Sequence, residues 1–187
     1  MENIQTDKVA LLINHYTTSV FRYCPNCGLQ NGRAETEKLF TCPDCDFRFY
    51  ANPASAVGGI LRNSAGEVLL VRRVKDPAKG KLNTPGGFVD PYESAEEGLV
   101  REILEEVAMK VTGMTFLASF PNIYTYRSVT YHTTDMFFFC DIGDAPEFVP
   151  NEEVAEILFV PPTAIDFDEL AFESTKQAFR EYLRILG

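Results

Sequence analysis

The sequence predicts a small cysteine-rich module followed by an α/β domain with a mixed sheet. Two Cys-x2-Cys pairs lie within residues 21–50, and from residue 51 onward strand-like apolar runs alternate with segments of helical periodicity. The chain has 187 residues, of which 45% are hydrophobic and 24% charged, so it can bury a core without disulfides. We expect three segments, namely a helical lead-in over 1–20, the cysteine module over 21–50 and the α/β domain over 51–187.

Local patterns define the elements of the α/β domain. Strands are predicted at 56–61, 68–71, 114–121, 134–142 and 156–160, and helices at 94–109 and 174–186. Ser94 is the expected N-cap of the first helix, and Glu97 is spaced to complete a capping box. We expect Val100, Leu104 and Val107 to form the face of this helix that packs on the sheet.

The acidic composition limits the partners that the chain can have. Lys and Arg total 17 against 27 Asp and Glu, which gives a formal net charge of -10. Such a charge repels nucleic acid and anionic membranes, and no apolar run approaches the ~20 residues of a membrane span. We therefore expect neither partner. The first residues show no signal-peptide pattern, so the expected location is the cytoplasm.

Four of the five cysteines form the two close pairs Cys24/Cys27 and Cys42/Cys45. Two such knuckles aim four thiolates at one point, which predicts a closed structural Zn²⁺ site and a zinc ribbon. The four basic side chains within 21–50 are balanced by four acidic ones, so the ribbon offers no basic stripe for nucleic acid. A structural or dimer-building role is the better interpretation, and Cys140 is expected to be a buried core thiol.

Three glutamates are spaced to share one face of the first helix. Glu102, Glu105 and Glu106 lie at i, i+3 and i+4, and carboxylates this close repel each other unless a divalent cation neutralises them. Carboxylate oxygens suit Mg²⁺ or Mn²⁺. By themselves the three glutamates are more typical of a solvated helix face than of a metal site.

A longer motif separates these alternatives. The pattern G-x5-E-x7-R-E-U-x-E-E-x-G-U, where U is aliphatic, is matched by Gly87, Glu93, Arg101, Glu102, Ile103, Glu105, Glu106 and Met109. Only Ala108 departs from it, because the pattern has Gly there; Ala would strain the turn by about 1 kcal/mol or let the helix continue. The motif resembles the signature of the Nudix hydrolases. With the ribbon before it, the chain is similar to the branch that includes the NADH pyrophosphatases.

This resemblance implies an α/β/α sandwich around a mixed sheet. It also implies Mg²⁺- or Mn²⁺-dependent hydrolysis of the pyrophosphate of a nucleoside diphosphate linked to another moiety, with release of a nucleoside monophosphate. The implied metal ligands are Glu102, Glu105, Glu106 and the Gly86 carbonyl. Arg101 would orient the glutamates, and Glu93 would hold Arg101. The catalytic base would be a glutamate of this helix or Glu153 in a later acidic loop, for which a solvated charge cluster is the alternative.

The residues expected to bind the substrate are less sharply defined. Gly87 and Arg73 are expected to bind the substrate, and Arg73, which follows a predicted strand, is expected to meet the diphosphate. For Arg73 a surface salt bridge is the alternative. Phe120, Tyr124 and Tyr126 are candidates for stacking on a base, with core packing as the alternative. NADH pyrophosphatases carry a further motif, S-Q-P-W-P-F-P-x-S, but this chain has no Trp. ADP-ribose, FAD and nucleotide sugars therefore stay open beside NADH.

Two other functions are considered. A non-catalytic nucleotide sensor need not keep the glutamates, so their presence argues against it. A hydrolase of nucleotide-capped RNA 5′ ends is opposed by the net charge of -10. A homodimer is implied by the resemblance to the zinc-ribbon relatives.

Overall fold

The structure is a computed structural model that describes residues 17–142 and 148–187. The described residues divide into two units: the first comprises 17–53 and 123–132, and the second comprises 54–122, 133–142 and 148–187. Most of the predicted helical lead-in lies outside the described residues. Its last four residues, Thr17–Val20, form a short 3-10 helix.

The first unit contains a small antiparallel sheet. Its strands are β1 (Arg33–Thr36), β2 (Leu39–Thr41) and β3 (Arg48–Tyr50). Phe40 on the central strand is fully buried and meets the ring of Phe21 edge-on, with the ring centroids 5.3 Å apart. The buried residues packed with Phe40 are Cys24 and Cys42. The core of this unit is thus built around the cysteines.

The sheet of the second unit is mixed, as predicted. Its strands are β4 (Ala54–Arg62), β5 (Val68–Arg73), β6 (Leu82–Asn83), β7 (Val111–Tyr126), β8 (Val129–Ile142) and β9 (Val154–Val160). The end of β7 and the start of β8, within residues 123–132, belong to the first unit. The strand order is β6-β5-β4-β8-β7, and β9 pairs with β5. The pair β4 and β8 is parallel, whereas β5 is antiparallel to β4, β6 and β9.

Two helices pack on opposite faces of this sheet. They are α1 (Ala95–Val107) and α2 (Glu173–Leu186). Successive side chains of β5 point to opposite faces, so Leu69 joins the core around Ile103 of α1, and Leu70 joins the core around Phe179 of α2. This arrangement confirms the α/β/α sandwich. No helix in the described ranges is long and apolar enough to cross a membrane.

The buried face of α1 differs from the prediction. Leu99, Ile103 and Val107 are almost fully buried, whereas Val100 and Leu104 are 42% and 58% exposed. The prediction was right for Val107 and wrong for the other two. Two apolar stripes lie one residue apart on this helix, and both have helical spacing. Packing against the sheet decides which stripe is buried, and the periodicity of the sequence carries no information about that packing.

Candidate functional site

The four paired cysteines converge on one point. Their sulfur atoms all lie within 4.8 Å of one another. The Sγ atoms of Cys24 and Cys45 are 3.7 Å apart, and those of Cys27 and Cys42 are 3.8 Å apart. In a tetrahedral site with Zn–S bonds of about 2.3 Å, the sulfurs are about 3.8 Å apart. The observed spacing therefore fits a four-thiolate zinc ion.

The protein environment gives these thiols different proton affinities. Burial raises the pKa of Cys42 to about 12. The pKa of Cys45 is lowered to about 7 because Asn26 donates a hydrogen bond from Nδ2 to its Sγ at 3.5 Å. A metal that binds all four sulfurs as thiolates would therefore release protons, and its affinity would rise with pH.

Each end of α1 has a defined cap. Ser94 and Glu97 form the predicted capping box: the Glu97 N–H donates to Ser94 Oγ at 3.2 Å, and the Ser94 N–H donates to Glu97 Oε2 at 2.8 Å. Ala108 ends the helix in the left-handed region at φ 55°, where its N–H donates to the Leu104 carbonyl at 3.0 Å. Of the two alternatives for Ala108, the structure shows the strained turn.

A glycine loop brings the main chain against two carboxylates of α1. The Gly86 N–H donates to Oε2 of the buried Glu106 at 2.9 Å. Gly86 has φ +141°, and a Cβ there would lie 2.1 Å from the Val57 carbonyl oxygen. A Cβ on Gly87 would lie 2.5 Å from Glu102 Oε1. Gly86 must therefore be glycine, whereas a side chain at position 87 would displace the Glu102 carboxylate.

Arg101 links the other glutamates of the motif. Its Nε and Nη2 donate to the two carboxylate oxygens of Glu93 at 2.8 and 3.0 Å. Its Nη1 donates to Glu102 at 2.8 Å and to Glu105 at 3.2 Å, and Nη2 also reaches the Phe88 carbonyl at 3.0 Å. This pairing lowers the pKa of Glu93. The structure thus brings the motif's arginine and three of its glutamates into one network.

Two carboxyl groups of the site, those of Glu102 and Glu106, have raised pKa values. Burial, reinforced by the charges of Glu102 and Glu153, raises the pKa of Glu106 to about 8, although the Gly86 N–H and the charge of Arg73 oppose the shift. Burial also raises the pKa of Glu102. A buried carboxyl group with a raised pKa next to further carboxylates is a donor set that a divalent cation would stabilise.

The glutamates do not already form a closed metal cage. Across the described ranges, the four cysteines are the only group of three or more His, Cys, Asp or Glu side chains that is placed to hold a metal ion. Glu102 and Glu105 instead share Nη1 of Arg101, and Glu106 is bound by the Gly86 N–H. Cation binding here would require these carboxylates to turn toward one another.

Two predicted residues from other segments lie near these carboxylates. Glu153 Oε1 accepts a hydrogen bond from Lys75 Nζ at 2.8 Å, and its charge contributes to the raised pKa of Glu102 and Glu106. Arg73 donates from Nε to the Pro77 carbonyl at 3.0 Å, and its charge reaches Glu106.

The neighbouring Arg72 has different partners. It pairs with Glu156, and its Nη1 donates to the Gly80 carbonyl at 2.9 Å. Of the two consecutive arginines, the structure therefore brings Arg73 to the carboxylates.

The predicted stacking aromatics are divided between the two units. Phe120 belongs to the second unit, where its ring is tilted against that of Phe137 at 6.3 Å. Tyr124 and Tyr126 belong to the first unit, where the Arg127 guanidinium lies 5.3 Å from the centre of the Tyr126 ring. Their binding of a base stays a prediction.

Lys75, Pro77 and Phe172 were missed by the sequence analysis. Lys75 pairs with Glu153, whereas Pro77 and Phe172 both contact Arg73. Phe172 and Arg73 come from opposite ends of the domain, so no local spacing connects them. The one sequence feature that could have pointed to any of them is the position of Lys75, a basic residue two positions after the strand that ends at Arg73.

Comparisons with known proteins agree with this geometry. The model of the NUDIX domain family matches residues 52–182. An ADP-ribose pyrophosphatase of Methanocaldococcus jannaschii is 32% identical over 156 residues, which cover 82% of this chain and 87% of that protein. The NAD-capped RNA hydrolase NudC of Pseudomonas putida is 36% identical over 98 residues, which cover 52% of this chain and 35% of that protein.

A solved structure extends the agreement to the fold. The crystal structure of a NUDIX hydrolase from Nitrosomonas europaea superposes with a TM-score of 0.66 at 26% identity, and the match covers 88% of this chain and 91% of that one. The chain spans only about a third of the length of the NudC relative, but most of the length of the other two proteins. The family match, the extended similarity and the shared architecture show that this chain belongs to the NUDIX domain family.

Proposed function

We propose that the chain is a hydrolase that uses Mg²⁺ or Mn²⁺ to cleave the pyrophosphate of a nucleoside diphosphate linked to another moiety, releasing a nucleoside monophosphate. The observation that carries this proposal is the buried Glu106, whose pKa is raised to about 8 beside Glu102 and Glu153. Burial makes the charged form of this carboxylate costly, and a divalent cation bound beside it would stabilise that form. Membership of the NUDIX family supports the same chemistry.

Each residue of the site has a proposed role. Glu102, Glu105, Glu106 and the Gly86 carbonyl would hold the metal. A divalent metal bound there would neutralise phosphate charge and lower the pKa of the attacking water. Arg101 orients Glu102 and Glu105, and Glu93 fixes Arg101 through two hydrogen bonds.

Two residues outside α1 complete the proposed mechanism. Glu153 accepts the proton of the attacking water on a carboxylate oxygen, while Lys75 holds that side chain in place. Arg73 binds an oxygen of the diphosphate beside Gly87.

ADP-ribose is the substrate class that we propose first. The similarity to an ADP-ribose pyrophosphatase runs through 87% of that protein's length, so it includes the segments around the motif as well as the motif itself. NADH, FAD and nucleotide sugars share the same diphosphate and are the competing substrates.

The cysteine unit is proposed to hold one structural Zn²⁺. The tetrahedral spacing of the four sulfurs supports zinc, and the absence of an open ligand position supports a structural role. The three-segment division at residues 20 and 50, the homodimer and the cytoplasmic location stay predictions from the sequence.

Hydrolysis of NAD-capped RNA is the second candidate function. It is favoured by the 36% identity to the NudC relative over 98 residues. It is opposed by the net charge of -10, because binding to RNA depends on releasing counterions from phosphates through Lys and Arg. The two candidates differ in salt dependence, which would be steep for capped RNA.

The test is a substrate panel with products identified by mass. The protein is incubated with Mg²⁺ or Mn²⁺ and ADP-ribose, NADH, NAD⁺, FAD, nucleotide sugars and NAD-capped RNA. The proposal predicts that ADP-ribose yields AMP and ribose 5-phosphate at the highest kcat/KM. Capped RNA as the best substrate would favour the second candidate. No cleavage of any compound with either metal would contradict both and favour a nucleotide sensor.

A further inference from the structure

The guanidinium of Arg73 has two contacts, one with a main-chain carbonyl and one with an aromatic ring. Its Nε donates to the Pro77 carbonyl at 3.0 Å, and its central carbon lies 5.0 Å from the centre of the Phe172 ring. Neither terminal amino group of Arg73 donates a hydrogen bond to a residue within 17–142 or 148–187. A guanidinium fixed in this way keeps its two in-plane amino groups for an oxyanion.

Arg72 provides an internal comparison. Its Nε pairs with Glu156, and its Nη1 donates to the Gly80 carbonyl at 2.9 Å. Those contacts bind Arg72 to the protein itself. Arg73, one position later, instead faces an aromatic ring and lies near enough to Glu106 to lower its pKa. The ring orients the cation without using any of its donors.

Two hydrogen bonds fix the segment that carries Phe172. This residue immediately precedes α2. In the first turn of the helix, Ser174 Oγ donates to Asp135 Oδ2 on β8 at 2.6 Å, and Thr175 Oγ1 donates to Asn83 Oδ1 on β6 at 2.7 Å. Ser174 and Thr175 are both buried. The start of α2 is thus tied to two strands, which keeps the ring of Phe172 beside Arg73.

We propose that Phe172 is a positioning residue, which holds the Arg73 guanidinium so that its terminal amino groups meet the diphosphate of the substrate. The inference rests on the proposed function, because it assumes that Arg73 binds the diphosphate. Phe172 acts through Arg73 and does not touch the reacting atoms. Its removal should therefore weaken substrate binding more than it slows the chemical step.

The first test asks whether Phe172 acts through its aromatic ring or only through the apolar volume of its side chain. In F172L the apolar volume is largely kept but the ring is lost, and we expect the KM for ADP-ribose to rise about 3- to 10-fold while kcat changes less than about 2-fold. F172Y and F172W keep a ring and should restore a KM close to that of the wild type. Phe167 is the matched control, because its ring lies 5.5 Å from the Arg180 guanidinium. F167L should leave KM unchanged.

A double-mutant cycle tests whether the effect passes through Arg73. R73A should raise KM, and adding F172L to it should raise KM no further. Additive effects of the two substitutions, an unchanged KM in F172L, or failure of F172Y and F172W to restore KM would each overturn the proposal. Thermal unfolding of every variant shows whether a loss of fold explains a change.

Binding without turnover separates this inference from the proposed function. The affinity of ADP-ribose is measured by calorimetry on protein treated with EDTA. Wild-type binding that F172L weakens about 3- to 10-fold supports the positioning role even if no hydrolysis is found. Hydrolysis by the wild type with equal affinity in F172L would overturn the positioning role alone. Absence of ADP-ribose binding by the wild type would overturn both.

Discussion

The cysteine cluster and the glutamate helix are two candidate metal sites that differ in how closely their ligand atoms are already gathered. In the cluster, four sulfurs already lie within 4.8 Å of one another at nearly tetrahedral spacing. On the helix, the carboxylates are divided between Arg101 and the Gly86 N–H, and the pKa of Glu106 is raised to about 8. The first arrangement suits a permanent ion. The second suits a cation that arrives with its substrate and leaves afterwards.

The largest expected effect is the loss of activity in E106Q. Because the amide keeps the size of the side chain but removes its charge, we expect kcat with Mg²⁺ to fall about 1,000-fold while the fold is retained. Hydrolysis of ADP-ribose, followed by AMP release, is the measurement.

A glutamate at the start of the same helix serves as the control for this prediction. Glu96 lies in the first turn of α1, away from the three motif glutamates. E96Q should keep the wild-type kcat. A fully active E106Q would remove Glu106 from the metal site.

The next largest effect concerns the cysteine cluster. C42S removes one of four thiols, so we expect the bound zinc to fall from one per chain to almost none and the first unit to lose its fold. Metal analysis of the purified protein measures this directly. C140A is the control, because Cys140 lies in the core of the second unit and outside the cluster. Full zinc content in C42S would show that the cluster does not need four ligands.

The pH dependence of stability should differ between the Mg²⁺-free and Mg²⁺-bound protein. Burial raises the pKa of Glu106 from 4.5 to about 8, so between these values the folded state keeps a proton that the unfolded chain has lost. Without Mg²⁺ the free energy of unfolding should therefore fall by about 4 kcal/mol as pH rises through this window, at about 1.4 kcal/mol per pH unit. Urea unfolding between pH 5 and pH 8 measures the slope, which E106Q should flatten. An equally steep slope in E106Q would assign it to another group.

The smallest effect concerns the end of α1. Ala108 has φ 55°, a region that costs an L-residue more than glycine. A108G should raise the free energy of unfolding by about 0.5 to 1 kcal/mol and leave kcat/KM unchanged, because the carboxylates lie one turn earlier. Urea unfolding measures the gain. A95G, at the other end of the helix, should lower stability instead. A change of activity in A108G would mean that the strained turn adjusts the glutamates.

Features with local causes were predicted well from the sequence. The predicted helix over 94–109 is observed as Ala95–Val107, and its capping box is present, because a cap depends on residues three positions apart. The pairing of the cysteines within each Cys-x2-Cys turn is local in the same sense, because each turn spans only four residues. The strand pattern around residues 56–61 and 68–71 is also recovered in β4 and β5.

Features that depend on distant segments could not be predicted. Packing against the sheet buried Leu99 and Ile103 and left Val100 and Leu104 exposed, although both stripes have helical spacing. The contact of Arg73 with Phe172 joins β5 to the start of α2 and leaves no trace in local spacing. The turn between β7 and β8 was not predicted either. Arg127 occupies its left-handed position at φ 54°, where a glycine or asparagine would have indicated a turn.

We propose that the cysteine site is a closed structural metal site, whereas the glutamate site is an open catalytic one. The most direct test is brief EDTA treatment followed by parallel measurement of zinc content and ADP-ribose hydrolysis. We predict that hydrolysis disappears while about one zinc per chain is retained, and that Mg²⁺ restores the activity but Zn²⁺ does not. Activity that survives EDTA unchanged, or that falls and recovers in step with the zinc content, would contradict the claim.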